Sequence, residues 1–302
     1  MTEWKDPEIA AFRAALAALA QPDDAPPRPW AERRAGIDAM GAMAPPPEGV
    51  AVEAVSLGGV PGETLRPKGA DAGRAILYLH GGGYCVGGSA SHRTLVARMA
   101  AATGAVAHVL DYRLAPEHPF PAALDDALAA WRALLAAGQD PARAIIAGDS
   151  AGGGLSLATA VAARDAGLPL PAALHVISPW ANLTNAGPAY AAKGESDLII
   201  TQKGIDEFAA AYLAGKTDPK TPLASPVFAD LTGLPPILIQ VGSEEVLLSD
   251  STLLAERAGL AGVDVTLRIW PEMIHIWPFF ANLSAGARAI KESSAWIKAR
   301  LG

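Results

Sequence analysis

Apolar runs of strand length at 75–79, 105–110, 144–147, 173–177, 237–241 and 263–269 constrain this chain more than any other feature of its sequence. A short run that is apolar throughout, without alternation, suits a strand buried on both faces. Between most of these runs lie alanine-rich stretches with helical spacing, among them 122–136, 153–166 and 251–259, and an amphipathic stretch at 285–301 closes the chain. Buried strands alternating with helices predict an α/β fold whose largely parallel sheet is covered on both faces. Ahead of them, 50–57 and a segment ending near Leu65 are expected to form two opening strands joined at Gly58-Gly59.

Two segments depart from the alternation. In 1–48, Ile9, Phe12, Leu16 and Leu19 mark one face of a helix. Prolines follow at Pro22, Pro26, Pro27 and Pro29 and again from Pro45 to Pro47, and these interrupt helices. The second segment, about 181–234, holds a helix-like piece at 201–213 and is longer than a connection requires. Together they predict a cap: an N-terminal segment, 1–48, over a main domain, 49–302, that carries a cap insertion.

A chain of 302 residues that is 51 % hydrophobic and 18 % charged is globular. Its net charge of −7 leaves no basic footprint for nucleic acid or an anionic membrane. The single cysteine, Cys85, excludes an intramolecular disulfide. The N-terminus lacks a basic n-region and no apolar run reaches membrane length, so a soluble cytoplasmic protein is expected.

The strongest chemical signal is Gly148-Asp149-Ser150-Ala151-Gly152, set between an apolar strand and a helix. That context is the one a G-x-S-x-G nucleophile elbow requires. Glycines two positions from the serine avoid clashes in so sharp a turn, and the helix N-terminus offers N–H groups to an anion. After the strand at 75–79 comes His80-Gly81-Gly82-Gly83-Tyr84. Three glycines let backbone N–H groups approach the oxyanion of a tetrahedral intermediate, each donor contributing about 3–4 kcal/mol. A phosphate cradle would carry a lysine here, and none follows.

Of six histidines, only His275 follows both Ser150 and the candidate acids, in the order nucleophile, acid, histidine. His80 is expected to be structural, with His92 on a helix surface, His108 and His175 in strands and His118 in a loop. The acid should follow the strand at 237–241. Spacing leaves Glu244 and Glu245 both open, and Asp250 reads as a cap of the next helix.

His80-Gly81-Gly82-Gly83, then Gly148-Asp149-Ser150-Ala151-Gly152, together with Asp111-Tyr112-Arg113-Leu114-Ala115-Pro116-Glu117-His118-Pro119-Phe120-Pro121, resemble the bacterial hormone-sensitive-lipase-like esterases. The likeness runs from about residue 50 to the C-terminus. It implies an α/β-hydrolase fold with a helical cap, and hydrolysis of short-chain esters, in some relatives lactones, without metal or cofactor. By position it makes Ser150 the nucleophile, His275 the base, and Gly82, Gly83 and Ala151 the oxyanion-hole donors. Aligned on the leucine of the family's Asp-Pro-Leu-Arg-Asp segment, the acid falls on Glu245. Asn182, where relatives commonly have aspartate, is expected to keep a structural hydrogen-bonding role. Trp30, Tyr84, Phe208, Tyr212 and Trp277 are the bulky residues available to narrow a pocket under the cap.

The expected partner is a small-molecule ester, with no nucleic acid and no membrane; self-association into a homo-oligomer stays open. Plant hormone receptors resemble the same family but lack the catalytic histidine, so His275 favours an enzyme over a receptor. Amidase, peptidase and lactonase chemistry share these motifs and stay open. An oxidoreductase is disfavoured, because no G-x-G-x-x-G opens a helix after the first strand.

Overall fold

A computed structural model describes residues 8–19 and 28–301. Pro22, Pro26 and Pro27 and the first seven residues lie outside them. Helices α1 (Ile9–Leu19) and α2 (Trp30–Gly41) come first. Strands β1 (Val50–Leu57) and β2 (Val60–Pro67) form the opening hairpin. Then β3 (Asp71–Leu79), α3 (Ser89–Thr103), β4 (Ala105–Leu110), α4 (Ala122–Ala136), β5 (Ala144–Asp149), α5 (Ala151–Asp165) and β6 (Ala173–Ile177) alternate. Helices α6 (Pro188–Lys193) and α7 (Gln202–Leu213) fill the interval before β7 (Ile237–Gly242). The chain closes through α8 (Leu248–Leu260), β8 (Val265–Trp270) and α9 (Ser284–Lys298).

The strands of the described residues form one eight-stranded sheet in the order β1-β2-β4-β3-β5-β6-β7-β8. β2 pairs antiparallel with β1 and β4, and every pairing from β4 through β3 to β8 is parallel. This is the α/β sheet expected from buried strands. The alternation of side chains across it builds two cores. Leu77 and Leu79 point to the side covered by α4, α5 and α8, whereas Ile76 and Tyr78 point to the side covered by α3 and α9. No helix among the described residues is long and apolar enough to cross a membrane.

Local chemistry explains the element ends. Thr201 Oγ1 accepts the Gly204 N–H at 3.0 Å and starts α7. Gly262 at positive φ and a bond from Val263 N–H to the Ala258 carbonyl end α8, so β8 begins at Val265 and not at 263 as expected. His92 corrects an expectation as well. It is fully buried, because α3 packs against α2 and α9 as well as the sheet and has no solvent face at that position.

The parallel order sets the loops after β3, β5, β6, β7 and β8 side by side at the strands' C-terminal ends, where open α/β sheets bind ligands.

Candidate active site

Ser150 links β5 directly to α5 with φ 51° and ψ −123°. A non-glycine residue held in that region stores about 1–3 kcal/mol of strain and persists only where its surroundings dictate it. They do so here. The Ser150 N–H donates to the Ile177 carbonyl at 2.9 Å. A Cβ on Gly152 would collide with the Leu79 carbonyl, and one on Gly148 with the Gly152 carbonyl. Both glycines of the elbow are therefore steric necessities.

His275 follows β8 in a loop with Glu272 and Ile276 at positive φ. Its Nδ1 lies 2.8 Å from Glu245 Oε2. Glu245 is fully buried, and its Oε1 accepts from Ser178 Oγ at 2.8 Å and from the Gly242 N–H at 2.5 Å. Ser178 Oγ in turn accepts the Ile276 N–H at 3.2 Å, so one hydroxyl braces both the carboxylate and the loop of the histidine. Burial would lower the pKa of His275. The hydrogen bond and charge of Glu245 outweigh it, helped by Asp197 and Asp149, and leave the imidazole above its ordinary value. Glu244 points elsewhere, to Lys193 at 3.0 Å and Arg13 at 3.9 Å. Of the two glutamates that spacing left open, Glu245 is the one bonded to His275.

The glycine loop is pinned from below. Gly82 has φ 111°, and a Cβ there would strike the Val86 carbonyl. Among the described residues no acceptor takes the N–H of Gly82, Gly83 or Ala151. Asp149 Oδ1 accepts from the Gly81 N–H at 3.1 Å and from Tyr78 Oη at 2.7 Å, with His92 Nε2 3.3 Å away. Burial pushes Asp149 up, but the His92 and Tyr78 contacts hold it below the usual carboxylate range. His80 stacks on Tyr112 with ring centres 4.1 Å apart, and burial drops its pKa to about 3, so it is a neutral structural residue. Tyr78, Asp149, His92 and Ser178 escaped sequence reasoning as site residues. Only Asp149, inside the elbow motif, carried a local signal.

Ser150, His275, Gly82 and Gly83 line one cavity of 230 Å³, with Ala151 buried at the start of α5 beside them. Its remaining wall is apolar, built chiefly by Ile37, Val86, Trp180, Ile199, Ile200, Ile205, Phe208 and Ile276. Of the five bulky residues expected to narrow a pocket, Phe208 lines it. Trp30 stands behind Phe208 with ring centres 5.2 Å apart. Tyr84 and Tyr212 are buried and stack face to face at 3.7 Å, covering each other instead of a ligand. Trp277 is buried against Trp270 in a separate cluster with Ile9 and Met273. Trp30, Tyr84, Tyr212 and Trp277 are therefore not lining residues. The wall is mostly aliphatic, with the rings of Phe208 and Trp180 set into it.

Asp250 is not a helix cap. It is fully buried, and its Oδ2 accepts the N–H groups of Ala181 and Asn182 at 3.0 and 2.9 Å, while Tyr190 Oη lies 3.2 Å from Oδ1. Asn182 bonds locally, its Oδ1 accepting from Thr184 and its Nδ2 donating to the Ala186 carbonyl. Among the described residues no three His, Cys, Asp or Glu side chains converge as metal ligands would.

An elbow serine and a carboxylate-bonded histidine thus share one cavity at the C-terminal ends of the strands of an α/β sheet. The sequence matches the family described as alpha/beta hydrolase fold over residues 76–279. A protein named acetyl-hydrolase from Streptomyces hygroscopicus is 47 % identical over 266 residues, 88 % of this chain and 87 % of that one. The crystal structure of an esterase from the bacterial hormone-sensitive lipase family superposes with a TM-score of 0.94 at 40 % identity, covering 99 % of both chains. A solved esterase structure soaked with p-nitrophenyl butyrate gives 0.94 at 44 % identity over 98 % of this chain and 99 % of that one. The chain belongs to the α/β-hydrolase family, among the bacterial hormone-sensitive-lipase esterases. It is a carboxylic ester hydrolase.

Proposed function

We propose that hydrolysis proceeds through an acyl-enzyme on Ser150. His275 Nε2 takes the proton from Ser150 Oγ as the oxygen attacks the ester carbonyl. The N–H groups of Gly82, Gly83 and Ala151 receive the oxyanion. Glu245 holds Nδ1 protonated and stabilises the imidazolium, which then protonates the departing alcohol. Water repeats the sequence on the acyl-enzyme and releases the acid. The observation that carries this mechanism is the cavity shared by Ser150 and His275, with Glu245 bonded behind the imidazole.

The substrate class is short-chain esters. A cavity of 230 Å³ is smaller than the roughly 300–1,000 Å³ of most ligand pockets. The relatives' acetyl-hydrolase name and p-nitrophenyl butyrate soak point the same way. The described part of segment 1–48, through Ile37, and segment 181–234, through Ile199, Ile200, Ile205 and Phe208, act as the cap that closes this space. The protein works in the cytoplasm, where a buried free thiol such as Cys85 stays reduced.

The test is Ser150→Ala assayed on p-nitrophenyl butyrate, with a serine-directed phosphonate applied to the parent. Loss of about 10⁴-fold or more in kcat and labelling at Ser150 are expected. Substantial hydrolysis by the pure variant would refute the mechanism.

A further inference from the structure

Asp197 lies between α6 and α7, is 4 % exposed, and takes no step in the mechanism proposed above. Its carboxylate accepts three backbone N–H groups. Oδ1 takes those of Ile199 and Ile200 at 3.0 and 2.9 Å, and Oδ2 takes that of Val246 at 3.0 Å. Ile199 and Ile200 line the cavity. Val246 follows Glu245. One side chain therefore ties the aliphatic wall that meets the substrate to the turn that carries the acid.

We propose that Asp197 is a positioning residue that sets both the placement of the Ile199-Ile200 wall, and with it acyl selectivity, and the geometry of the Glu245–His275 pair. The assignment rests on serine chemistry at Ser150 and His275. It has an electrical consequence that a simple loop staple lacks. The negative groups facing His275 are Glu245, Asp197 and Asp149; Asp197 also faces Glu245, and Glu245 in turn faces Asp250. The cations Lys193 and Arg13 are engaged by Glu244. Asp197 thus favours the imidazolium, and neutralising it should move the acid limb of the rate profile to lower pH.

Asp197→Asn keeps the volume but turns one acceptor arm into a donor. An NH₂ group cannot accept an N–H, so either the wall or the acid turn is released. Asp197→Glu keeps the charge on a longer arm. The measurements are kcat and KM on p-nitrophenyl acetate, butyrate and octanoate from pH 5 to 9, for both variants, the parent and Ser150→Ala. For Asp197→Asn, kcat on butyrate should fall about tenfold. Its acid limb should move down by about half a unit. The octanoate-to-butyrate ratio of kcat/KM should rise at least about threefold, since a released wall admits and buries more methylenes. Asp197→Glu should change the ratio while leaving the acid limb in place. An Asp197→Asn variant with the parent's acid limb and chain-length ratio would overturn the assignment, whatever its melting temperature. If that variant does not fold, a parental ratio in Asp197→Glu overturns it. Hydrolysis retained by Ser150→Ala would instead bring down the serine mechanism, and the role of Asp197 with it.

Discussion

Two adjacent glutamates, Glu244 and Glu245, show how much one residue's place decides. They share chemistry and sequence context, yet one is fully buried on His275 and the other bridges Lys193 and Arg13 at the surface. Glu245→Gln keeps the shape but cannot stabilise the imidazolium, so kcat/KM should fall about 10³- to 10⁴-fold. Glu244→Gln loses only partly exposed ion pairs, which contribute about 0–1 kcal/mol each, and should stay within about threefold of the parent. Comparing the two on p-nitrophenyl butyrate checks the assignment, and equal small losses would send the search for the acid elsewhere. His275, held above its ordinary pKa mainly by Glu245, should place the acid limb of kcat/KM above pH 6.5. A limb well below that value would mean that the charge of Glu245 does not reach the imidazole.

At the scale of elements, Asp250 joins α8 to the loop after β6 and to Tyr190 of α6. Burial raises its pKa from 3.8 to about 7, against the bonds from Ala181, Asn182 and Tyr190. A raised carboxyl pKa favours the folded state while the group is protonated there. That contribution is lost as pH rises from the unfolded value of about 3.9 through the folded value near 7. Asp250→Asn retains an acceptor for the two N–H groups and carries no charge. Its melting temperature relative to the parent should therefore rise between pH 5 and pH 8. A pH-independent difference would show that Asp250 is ionised throughout. Since it does not touch His275, the substitution should leave activity within a few-fold.

Across the whole molecule, α2 is fastened over the site by two arginines. Arg33 forks onto Glu207 at 2.8 and 2.9 Å and stacks on Trp30 at 4.5 Å, beside the ring of Phe208. Arg34 grips Glu117 at 2.6 and 3.0 Å and the carbonyls of Cys85 and Ala115 at 2.9 and 3.0 Å. Such pairs, partly exposed, add little to global stability, but they register Ile37 and Phe208 on the cavity. The parent's kcat/KM should peak between acetate and hexanoate. Each methylene gains about 0.8 kcal/mol only while the cavity can bury it. Arg33→Ala should flatten the decline toward longer chains by loosening Phe208. A maximum at twelve carbons or more in the parent, below micelle concentrations, would sink the closed-cavity picture.

By itself the sequence determined the alternating sheet, the elbow at Ser150, the glycine loop and the histidine, because each is written in a few adjacent residues. A buried parallel strand announces itself by unbroken apolarity, and a strained turn by its flanking glycines. The tertiary structure alone decided the rest. Spacing could not tell Glu244 from Glu245; the family resemblance pointed to Glu245, and the turn after β7 is what sets that side chain on His275. His92 was misread because burial of α3 from three sides leaves no trace in its periodicity. Asp250 and Asp197 carry their partners 60 and 49 residues away, on different elements. The cavity wall is assembled from α2, α7 and four separate loops, so no window of sequence could show that its lining is mostly aliphatic while Tyr84 and Tyr212 stack beneath.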